Sequence, residues 1–255
     1  MAVKFYLGTN KAGWLHKATV PLFISHRTLR SRVKRRPSQV NWALDSGGFT
    51  ELSLNGQWTI SPEEYAWYAF VYQSHYGRMD WASQQDWMCE DIMLARTGKT
   101  VAEHQSLTTQ NLLDLRRVEP KVHFIPVIQG QTAEDYLRHI EQFRDAGIDL
   151  SKEPTVGIGS VCRRQSTKEI VPIVEEVTGR GLKLHGFGMK TLGLQKVSHL
   201  MTSADSMAWS FTARMQQIRL ESCTHRAPRC SDCLEFATLW RNNLLARLGQ
   251  EKETL

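Results

Sequence analysis

Acidic and amide side chains follow four separate β-prone runs of this 255-residue chain, at the point where each run ends. They are Asp45, Asp86, Gln129 and Asp205. Small residues accompany them, namely Ser46, Gly47, Gly48, Gly130, Gly159 and Ser160. Carboxylates that are held together and shielded from water can attack a carbon centre or carry protons to and from a substrate. The spacing therefore predicts an active site whose members come from several strands.

Each member of this set also has a structural explanation. Glycine at a strand end permits a turn, Gln129 can satisfy a backbone group, and Asp86 and Asp45 can form turns with their own backbone. Turn formation accounts for the glycines. It does not account for carboxylates at several strand ends, because such charges repel one another unless a substrate needs them. The set as a whole favours a site.

A further polar group lies within one predicted helix. His104, Thr108 and Asn111 are spaced so that they share one helix face. That face could approach the site, but a row of polar side chains is typical of a helix surface in contact with water. We therefore interpret these three residues as a solvated face.

A second chemical cluster lies near the C-terminus, where Cys223, His225, Cys230 and Cys233 fall within eleven residues. Three thiolates and one imidazole, with two of the cysteines in a C-x-x-C pair, match the four tetrahedral ligands of a structural zinc site. A group of reduced thiols beside a surface histidine is the alternative. Because the four ligands leave no position for water, the zinc predicted here holds structure and does not catalyse.

The net charge of +6 is concentrated at one end of the chain. Residues 1–44 contain nine Lys or Arg and no acid, and six of the nine form a basic strip. The strip consists of Arg27, Arg30, Arg32, Lys34, Arg35 and Arg36. Like charges without nearby acids repel one another unless an anion binds, so we expect the strip to contact phosphates, together with Arg163 and Arg164; a solvated basic helix is the alternative.

Several classes of protein are excluded. Gly98-Lys99-Thr100 lacks the earlier glycine and the strand of a phosphate-binding loop, and neither Gly157-Ile158-Gly159 nor Gly186-Phe187-Gly188 completes a dinucleotide fingerprint. No apolar run is long enough to span a membrane, and the N-terminus lacks the apolar segment of a secretory signal. An odd count of five cysteines argues against a disulfide framework. We expect a cytoplasmic protein with no membrane partner.

The elements that must position these residues alternate between strand and helix. Strands are predicted at residues 4–7, 22–25, 41–44, 79–82, 124–128, 155–159, 183–188 and 203–207. Helices are predicted at residues 62–76, 102–117, 133–146, 167–177 and 234–247, the first opened by Ser61 as N-cap and Pro62. Such alternation indicates an α/β fold with a parallel sheet, either doubly wound or closed, and its count and length favour a TIM (β/α)8-type barrel. We expect the barrel to cover residues 1–221 and a zinc-binding segment with a C-terminal helix to cover 222–255.

Three motifs and the cysteine cluster carry a resemblance to a known family. Leu44-Asp45-Ser46-Gly47-Gly48-Phe49 resembles the DSGGF motif of tRNA-guanine transglycosylases, which are zinc-bearing TIM barrels. Val127-Ile128-Gln129-Gly130 and Gly157-Ile158-Gly159-Ser160 are similar to two further segments of that family, in the same order. Gln84 to Cys89 and the ligand spacing of the cysteine cluster are closer to its DNA branch, the 7-deazapurine transglycosylases of phages and bacteria. Thr50 departs from the tRNA enzymes, which have glutamine after DSGGF.

The resemblance implies exchange of guanine in DNA for a free 7-deazaguanine base. Retention at C1′ requires two displacements, in which a carboxylate first displaces guanine and is then displaced by the new base. Asp205 is the only carboxylate between Glu176 and Glu221, so we predict that it attacks, with Asp45 as general acid and base. Trp209 is expected among the apolar walls of the site. The predicted substrate-binding residues are Ser46, Gly47, Gly48, Phe49, Asp86, Gln129, Gly130, Ser160 and Gly159, the last through its backbone N–H.

Two other classes remain compatible with the sequence. A tRNA-guanine transglycosylase would use the same chemistry on tRNA. A zinc-stabilised subunit that binds nucleic acid without catalysis would also explain the basic strip and the cysteines, although it has no need for Asp45 and Asp205. Homodimerisation and accessory proteins are left open.

Overall fold

The computed structural model describes residues 3–31, 36–161 and 170–249, and in this part of the chain nine parallel strand segments form one sheet. They are β1 (Lys4–Thr9), β2 (Leu22–Ser25), β3 (Trp42–Asp45), β4 (Met79–Ser83), β5 (Phe124–Ile125), β6 (Val127–Ile128), β7 (Val156–Ile158), β8 (Leu184–Gly186) and β9 (Ser203–Ser206). The sheet order is β5-β4-β3-β2-β1-β9-β8-β7-β6.

The two ends of that order are neighbours in the chain. Only Pro126 separates β5 from β6, and proline has no N–H to donate to a ladder. Residues 124–128, predicted as one strand, are therefore two segments at a single strand position. The Pro126 carbonyl still accepts from Gly157 N at 2.8 Å. The sheet thus closes on itself with eight strand positions, which confirms the α/β barrel.

Helices follow most of the strands and cover the outside of the barrel. They are α1 (His26–Leu29), α2 (Gly48–Asn55), α3 (Pro62–Tyr76), α4 (Asp91–Thr97), α5 (Val101–Val118), α6 (Ala133–Asp145), α7 (Ile170–Thr178), α8 (Thr191–Val197), α9 (Ala208–Met215) and α10 (Leu234–Arg247). Short 3-10 helices lie at Ala12–His16, Leu150–Lys152 and Ser198–Leu200. Helices α3 and α10 have the predicted bounds, and Ser61 Oγ accepts from Glu64 N at 3.2 Å to cap α3. The first residues of the predicted helix 167–177 lie outside the described part.

Alternate residues of the strands face opposite sides of the barrel wall. One side packs under the helices in the main apolar core. The other side builds a separate aromatic cluster of Tyr6, Phe23, Ala43, Trp81 and Ile125, against which Phe187 packs. These rings fill the barrel interior, so the cavity described below has an apolar floor.

The membrane prediction concerns helix length and polarity. Among the residues that the structure describes, no helix is both long and apolar enough to cross a bilayer.

Candidate active site

A cavity of about 460 Å³ opens at the carboxyl ends of the strands. Parallel strands place these ends on one face of a barrel, where residues distant in sequence meet. Seven of the residues predicted from sequence line it, namely Asp45, Gly48, Phe49, Asp86, Gly159, Ser160 and Asp205. The structure thus brings the three predicted carboxylates around one space.

Asp45 ends β3, where its parallel neighbour in β2 is Ser25. The Ser25 hydroxyl and the Gly47 backbone both hydrogen-bond to the Asp45 carboxylate. Burial raises the pKa of Asp45 to about 6, the Gly47 hydrogen bond opposes that rise, and the negative charge of Asp205 adds to it. Asp45 is therefore a carboxyl that can exchange a proton near neutral pH.

The chain reverses immediately after Asp45. Gly47 has a φ of 83°, and a Cβ at this position would lie 2.9 Å from Arg27 Cγ, so both conformation and space require glycine. Ser46 is buried and donates its N–H to Ser83 Oγ at 3.1 Å, while Phe49 is 49% exposed at the cavity rim. Ser46 and Gly47 thus hold the turn, and Gly48 and Phe49 form the wall.

Asp86 lies in the loop after β4, and the groups around its carboxyl differ from those around Asp45. Its Oδ2 accepts from Gln129 Nε2 at 2.5 Å. Burial raises the pKa of Asp86 to about 7, a hydrogen bond from its own backbone opposes that rise, and the charges of Asp45 and Glu90 add to it. Glu90 also lines the cavity, so a carboxyl not predicted from sequence faces the same space.

Gln129 acts on the cavity through its two hydrogen-bond partners, Asp86 and Ser160. Its Nε2 binds Asp86, and its Oε1 accepts from Ser160 Oγ at 2.6 Å. Ser160 has a φ of 57° and also accepts from Cys89 N at 2.8 Å. Gln129 itself is fully buried, so the structure shows a residue that positions Asp86 and Ser160.

The prediction that Gly159 N–H would bind a ligand is wrong. This N–H donates to Ile128 O at 3.0 Å, because β6 and β7 pair as parallel strands at this point. Gly130 also lies behind the cavity, where a Cβ would come within 2.7 Å of Asp135 Cβ. Gly159 itself lines the cavity, and a Cβ there would collide with the Gln129 amide at 2.2 Å.

The interpretation of His104, Thr108 and Asn111 as a solvated face is also wrong. All three are buried, and each holds the loop that carries Asp86. His104 Nδ1 pairs with Met88 O at 2.7 Å, Thr108 Oγ1 accepts from Trp87 N at 2.9 Å, and Asn111 Oδ1 accepts from Gln85 N at 2.9 Å. The polar side chains of α5 thus satisfy backbone groups of this loop, as a neighbouring strand would in a sheet. Their helical spacing alone does not reveal that they face inward.

Asp205 lies in β9 and is only 5% exposed. Its Oδ1 accepts from Gly188 N at 2.9 Å. Gly188 and Phe187, which follow β8, also line the cavity and were not predicted as site residues. Trp209 is fully buried behind Gly8, whose carbonyl accepts from its Nε1 at 2.8 Å, so it supports the wall without lining it.

The missed residues left little trace in the sequence. Ser25, Glu90, Phe187 and Gly188 line the cavity from three different parts of the chain. Gly186-Phe187-Gly188 at a predicted strand end was a usable signal, because its glycines mark a turn on the same face as the carboxylates. Ser25 and Glu90 carried no comparable signal.

The basic strip is only partly described. Arg30 and Arg36 are exposed, whereas Arg32, Lys34 and Arg35, together with Arg163 and Arg164, lie outside the described residues. Arg27 forms an ion pair with Glu51, whose side chain is 4% exposed. The expectation that no acid compensates the strip is therefore wrong for Arg27, because the fold brings Glu51 to it.

The cysteine cluster is the second candidate site. The ligand atoms of Cys223, His225, Cys230 and Cys233 all lie within 4.8 Å of one another. Cys223 Sγ lies 3.6 Å from Cys230 Sγ and 3.3 Å from Cys233 Sγ, and Cys230 Sγ lies 3.4 Å from His225 Nε2. Tetrahedral zinc with bonds near 2.3 Å separates its sulfurs by about 3.8 Å, so these residues fit a metal ion.

We expect the Asp86→Asn substitution to increase the free energy of unfolding, and to increase it more at high pH than at low pH. The pKa of about 7 lies above the unfolded value of 3.8, so the stabilisation linked to the bound proton is present below about pH 4 and is lost as the pH rises to 7. Asparagine carries no charge to bury, and its oxygen can still accept from Gln129. Thermal unfolding at pH 5 and pH 8 measures this difference. A difference of one between the folded and unfolded pKa values corresponds to about 1.4 kcal/mol in the free energy of unfolding. Asp145→Asn, at an exposed carboxylate, is the control. An equal change in stability at both pH values would contradict the prediction.

These features define a (β/α)8-barrel protein with a carboxylate-lined cavity and a separate cluster that can hold a metal ion. The chain belongs to the DeoxyPurine in DNA protein A (DpdA) family, whose model matches residues 1–253. The match confirms the resemblance to DNA 7-deazapurine transglycosylases and supports a function in DNA modification by deazapurine insertion, with DNA as the substrate.

The other comparisons concern the fold. A crystal structure from Coccidioides immitis, of a protein assigned as a fructose-1,6-biphosphate aldolase, matches with a TM-score of 0.55 and 11% identity. The match covers 97% of this chain and 91% of that chain, and at this identity it shows a shared barrel alone. No curated protein sequence matches this chain.

Proposed function

We propose that this protein exchanges guanine in DNA for a 7-deazaguanine derivative through a covalent glycosyl-enzyme intermediate. The observation that carries the proposal is the meeting of Asp45, Asp86 and Asp205 around one cavity, in a member of a family that modifies DNA. Base exchange needs an attacking carboxylate, a proton carrier and a group that reads the base, and three carboxyls in different environments supply these roles.

In the first displacement, an oxygen of Asp205 forms a bond to C1′ as the bond from C1′ to the guanine nitrogen breaks. The electron pair of that bond remains on the purine, which takes a proton from Asp45. In the second displacement, the entering base gives a proton to Asp45 and attacks C1′, and Asp205 departs as a carboxylate. Two inversions retain the configuration.

The charge on Asp205 coordinates these proton transfers. Anionic Asp205 helps to raise the pKa of Asp45, so Asp45 holds its proton while Asp205 is ready to attack. Once Asp205 has become a neutral ester, that repulsion disappears and Asp45 is more readily ionised. Asp45 is then in the form needed to accept a proton from the entering base.

Asp86 is the group proposed to read the base. A carboxylate accepts from the N1–H and the exocyclic amine of guanine, and Gln129 holds it in place. Replacing N7 by carbon leaves that edge unchanged, so one pocket accepts both the leaving and the entering base. The Ser160 N–H donates to no acceptor within residues 3–31, 36–161 and 170–249, and it takes the role first assigned to Gly159, as a donor to O6.

We expect Asp45→Asn to slow base exchange by about 100-fold, the usual scale for losing general acid and base help. The amide keeps the shape but carries no proton for the leaving purine. In the wild type, single-turnover adduct formation should fall as the pH rises through about 6, because the acid form is lost. The Asp45→Asn variant should lack this dependence. A wild-type rate in that variant, or an unchanged pH profile, would remove Asp45 from the proton-carrying role.

We propose that the basic strip, with Arg163 and Arg164, holds the DNA backbone while the target guanine is flipped into the cavity. Arg27 is the exception, because its ion pair with Glu51 already uses its charge. Replacing Arg32, Arg35 and Arg36 by Glu should weaken DNA binding and lower the salt slope by about 0.9 for each lost phosphate contact. Charge reversal at Arg117 in α5, Arg144 in α6 and Arg180 in the turn after α7 is the matched control. An unaltered affinity and slope would exclude the strip from the interface.

The cysteine cluster would hold a zinc ion through Cys223, His225, Cys230 and Cys233. With four protein ligands, such an ion supplies structure and leaves the chemistry to the carboxylates. Leu220 N donates to Cys230 Sγ at 3.3 Å and Cys230 N donates to Ile218 O at 2.8 Å, so the cluster is tied to the segment that follows α9.

The deciding experiment incubates the pure protein with labelled guanine and either duplex DNA, single-stranded DNA or tRNA, and measures label in the polymer. Incorporation into DNA supports the proposal. Label in tRNA alone would replace it with a tRNA-guanine transglycosylase. Binding of DNA without exchange under any condition would indicate the non-catalytic subunit instead.

A further inference from the structure

A fully buried histidine lies directly beside the proposed nucleophile. His185 is in β8, next to β9 in the sheet, and its Nε2 is 3.3 Å from Asp205 Oδ1. On the other side of the ring, Nδ1 pairs with Ser203 Oγ at 2.9 Å. Nε2 makes no hydrogen bond to any described residue, so its 3.3 Å approach to Asp205 Oδ1 is a close polar contact outside hydrogen-bond geometry. A buried imidazole nitrogen therefore lies beside one carboxylate oxygen, and the mechanism above makes no use of it.

The surroundings of His185 fix its orientation. The ring centroids of Trp81 and Phe187 lie 4.7 and 4.8 Å from that of His185, both edge-on, and Tyr6 and Phe23 complete the enclosure. A ring packed on several sides cannot rotate freely. His185 thus presents the same edge to Asp205 throughout the reaction.

The contacts on the two sides of the ring favour one tautomer. If Ser203 donates to Nδ1, the ring carries its proton on Nε2, on the side of Asp205 Oδ1. The opposite tautomer would place the Nε2 lone pair against the carboxylate, which is repulsive in an apolar setting. The favoured tautomer therefore places an N–H within reach of Asp205 Oδ1, with 3.3 Å between the two heavy atoms.

Gly188 and His185 both lie against the same oxygen of Asp205. Gly188 N–H reaches Oδ1 at 2.9 Å, and His185 Nε2 approaches the same atom. We infer that His185 is a positioning residue that holds Asp205 through Oδ1, so that Oδ2 is the atom that attacks C1′. This inference rests on the proposed function. The bond from Oδ2 to C1′ forms as the bond from C1′ to the purine nitrogen breaks, Asp45 supplies the proton, and His185 keeps its own.

The need for such a hold follows from the freedom of the carboxylate to rotate. A single backbone hydrogen bond from Gly188 leaves the Asp205 carboxylate able to turn away from the reacting carbon. A displacement of about 1 Å from the reactive geometry can cost about 100-fold in rate. The His185 contact opposes that displacement without occupying the attacking oxygen.

The test compares His185→Phe with His185→Gln in the full-length protein. Phenylalanine fills the aromatic enclosure but offers no donor, whereas the glutamine amide reaches the position of Nε2. Single-turnover formation of the covalent adduct with guanine-containing DNA is measured, beside the KM for free guanine and the Kd for DNA. We expect His185→Phe to slow adduct formation by about 100-fold with binding constants within about twofold of wild type, and His185→Gln to recover most of the rate.

Trp81→Phe is the matched control, because Trp81 packs on His185 but does not line the cavity. Equal slowing in Trp81→Phe and His185→Phe at similar losses of thermal stability would reduce the effect to packing and overturn the inference. A wild-type rate in His185→Phe would overturn it as well.

If His185→Phe does not fold, the rates of adduct formation in His185→Gln and His185→Asn are compared instead, since the asparagine amide cannot reach the Nε2 position. A faster Gln variant supports the inference, and equal rates overturn it. Failure of the proposed function is distinguishable, because wild-type protein would then form no adduct on Asp205.

Discussion

Asp205→Asn will abolish base exchange while the protein remains folded and bound to DNA. The expected loss is on the order of 10⁴-fold or more, the scale for removing a covalent nucleophile. An amide keeps the size of the side chain, and its oxygen can still accept from Gly188 N–H, which Asp205 Oδ1 does at 2.9 Å in the structure. It cannot readily form a glycosyl ester. Exchange of labelled guanine into DNA, thermal unfolding and DNA affinity measure the three parts of this prediction.

Trapping identifies the attacking residue directly. Wild-type protein with guanine-containing DNA and a 7-deazaguanine analogue should yield an adduct that survives denaturant, and its peptide map should contain Asp205. Asp45→Asn serves as the comparison, because it retains the nucleophile and should form the same adduct slowly. An adduct on Asp45, or full activity in Asp205→Asn, would exchange the proposed roles of the two carboxylates.

Removal of the metal ligands is expected to have the largest effect on stability. We predict about one zinc per chain in the wild type and its loss in Cys230→Ser, because Cys230 is fully buried and adjoins both Cys223 and His225. Structural zinc contributes about 10–16 kcal/mol to binding in small zinc peptides, so even a fraction of that value exceeds most single-residue effects. Metal analysis and thermal unfolding test this.

We also predict which part of the chain loses stability first when a metal ligand is removed. The cluster is tied to the barrel at Ser210, whose hydroxyl donates to Ser231 O at 2.7 Å, and at Cys230, whose N–H donates to Ile218 O at 2.8 Å. Hydrogen exchange should therefore accelerate first in residues 218–233 and only then in the barrel strands. Cys89→Ser, at a buried cysteine outside the cluster, should retain its zinc. Folded and active protein that contains no zinc would refute the prediction.

The candidate site carries a cost in stability that follows from its buried carboxyl groups. Asp45 and Asp86 are carboxyls whose pKa values burial raises to about 6 and about 7. Their charged forms are disfavoured by the fold, so the protein would be more stable with neutral residues at these positions. Functional sites are where such unfavourable arrangements persist.

Much of the architecture was predictable because it depends on neighbouring residues. Ser61 and Pro62 start α3 where predicted, since the cap and the first helical turn involve residues a few positions apart. The cysteine cluster was evident for the same reason, because Cys223, His225, Cys230 and Cys233 fall within eleven residues. Alternation of strands and helices predicted the barrel, which places strand ends on one face and so brought Asp45, Asp86 and Asp205 together.

The sequence by itself therefore determined the strands, the five longest described helices and their order, favoured the barrel, and identified three of the carboxylates of the candidate site. Only the tertiary structure decided the partners of those residues: Glu51 for Arg27, Ser25 for Asp45, Glu90 and Gln129 around Ser160, and His185 for Asp205. These contacts join residues up to 70 positions apart, through strand registers and loop packing that no local pattern encodes. The inward face of α5 and the raised pKa values were likewise decided there, because burial is a property of the whole fold rather than of a segment.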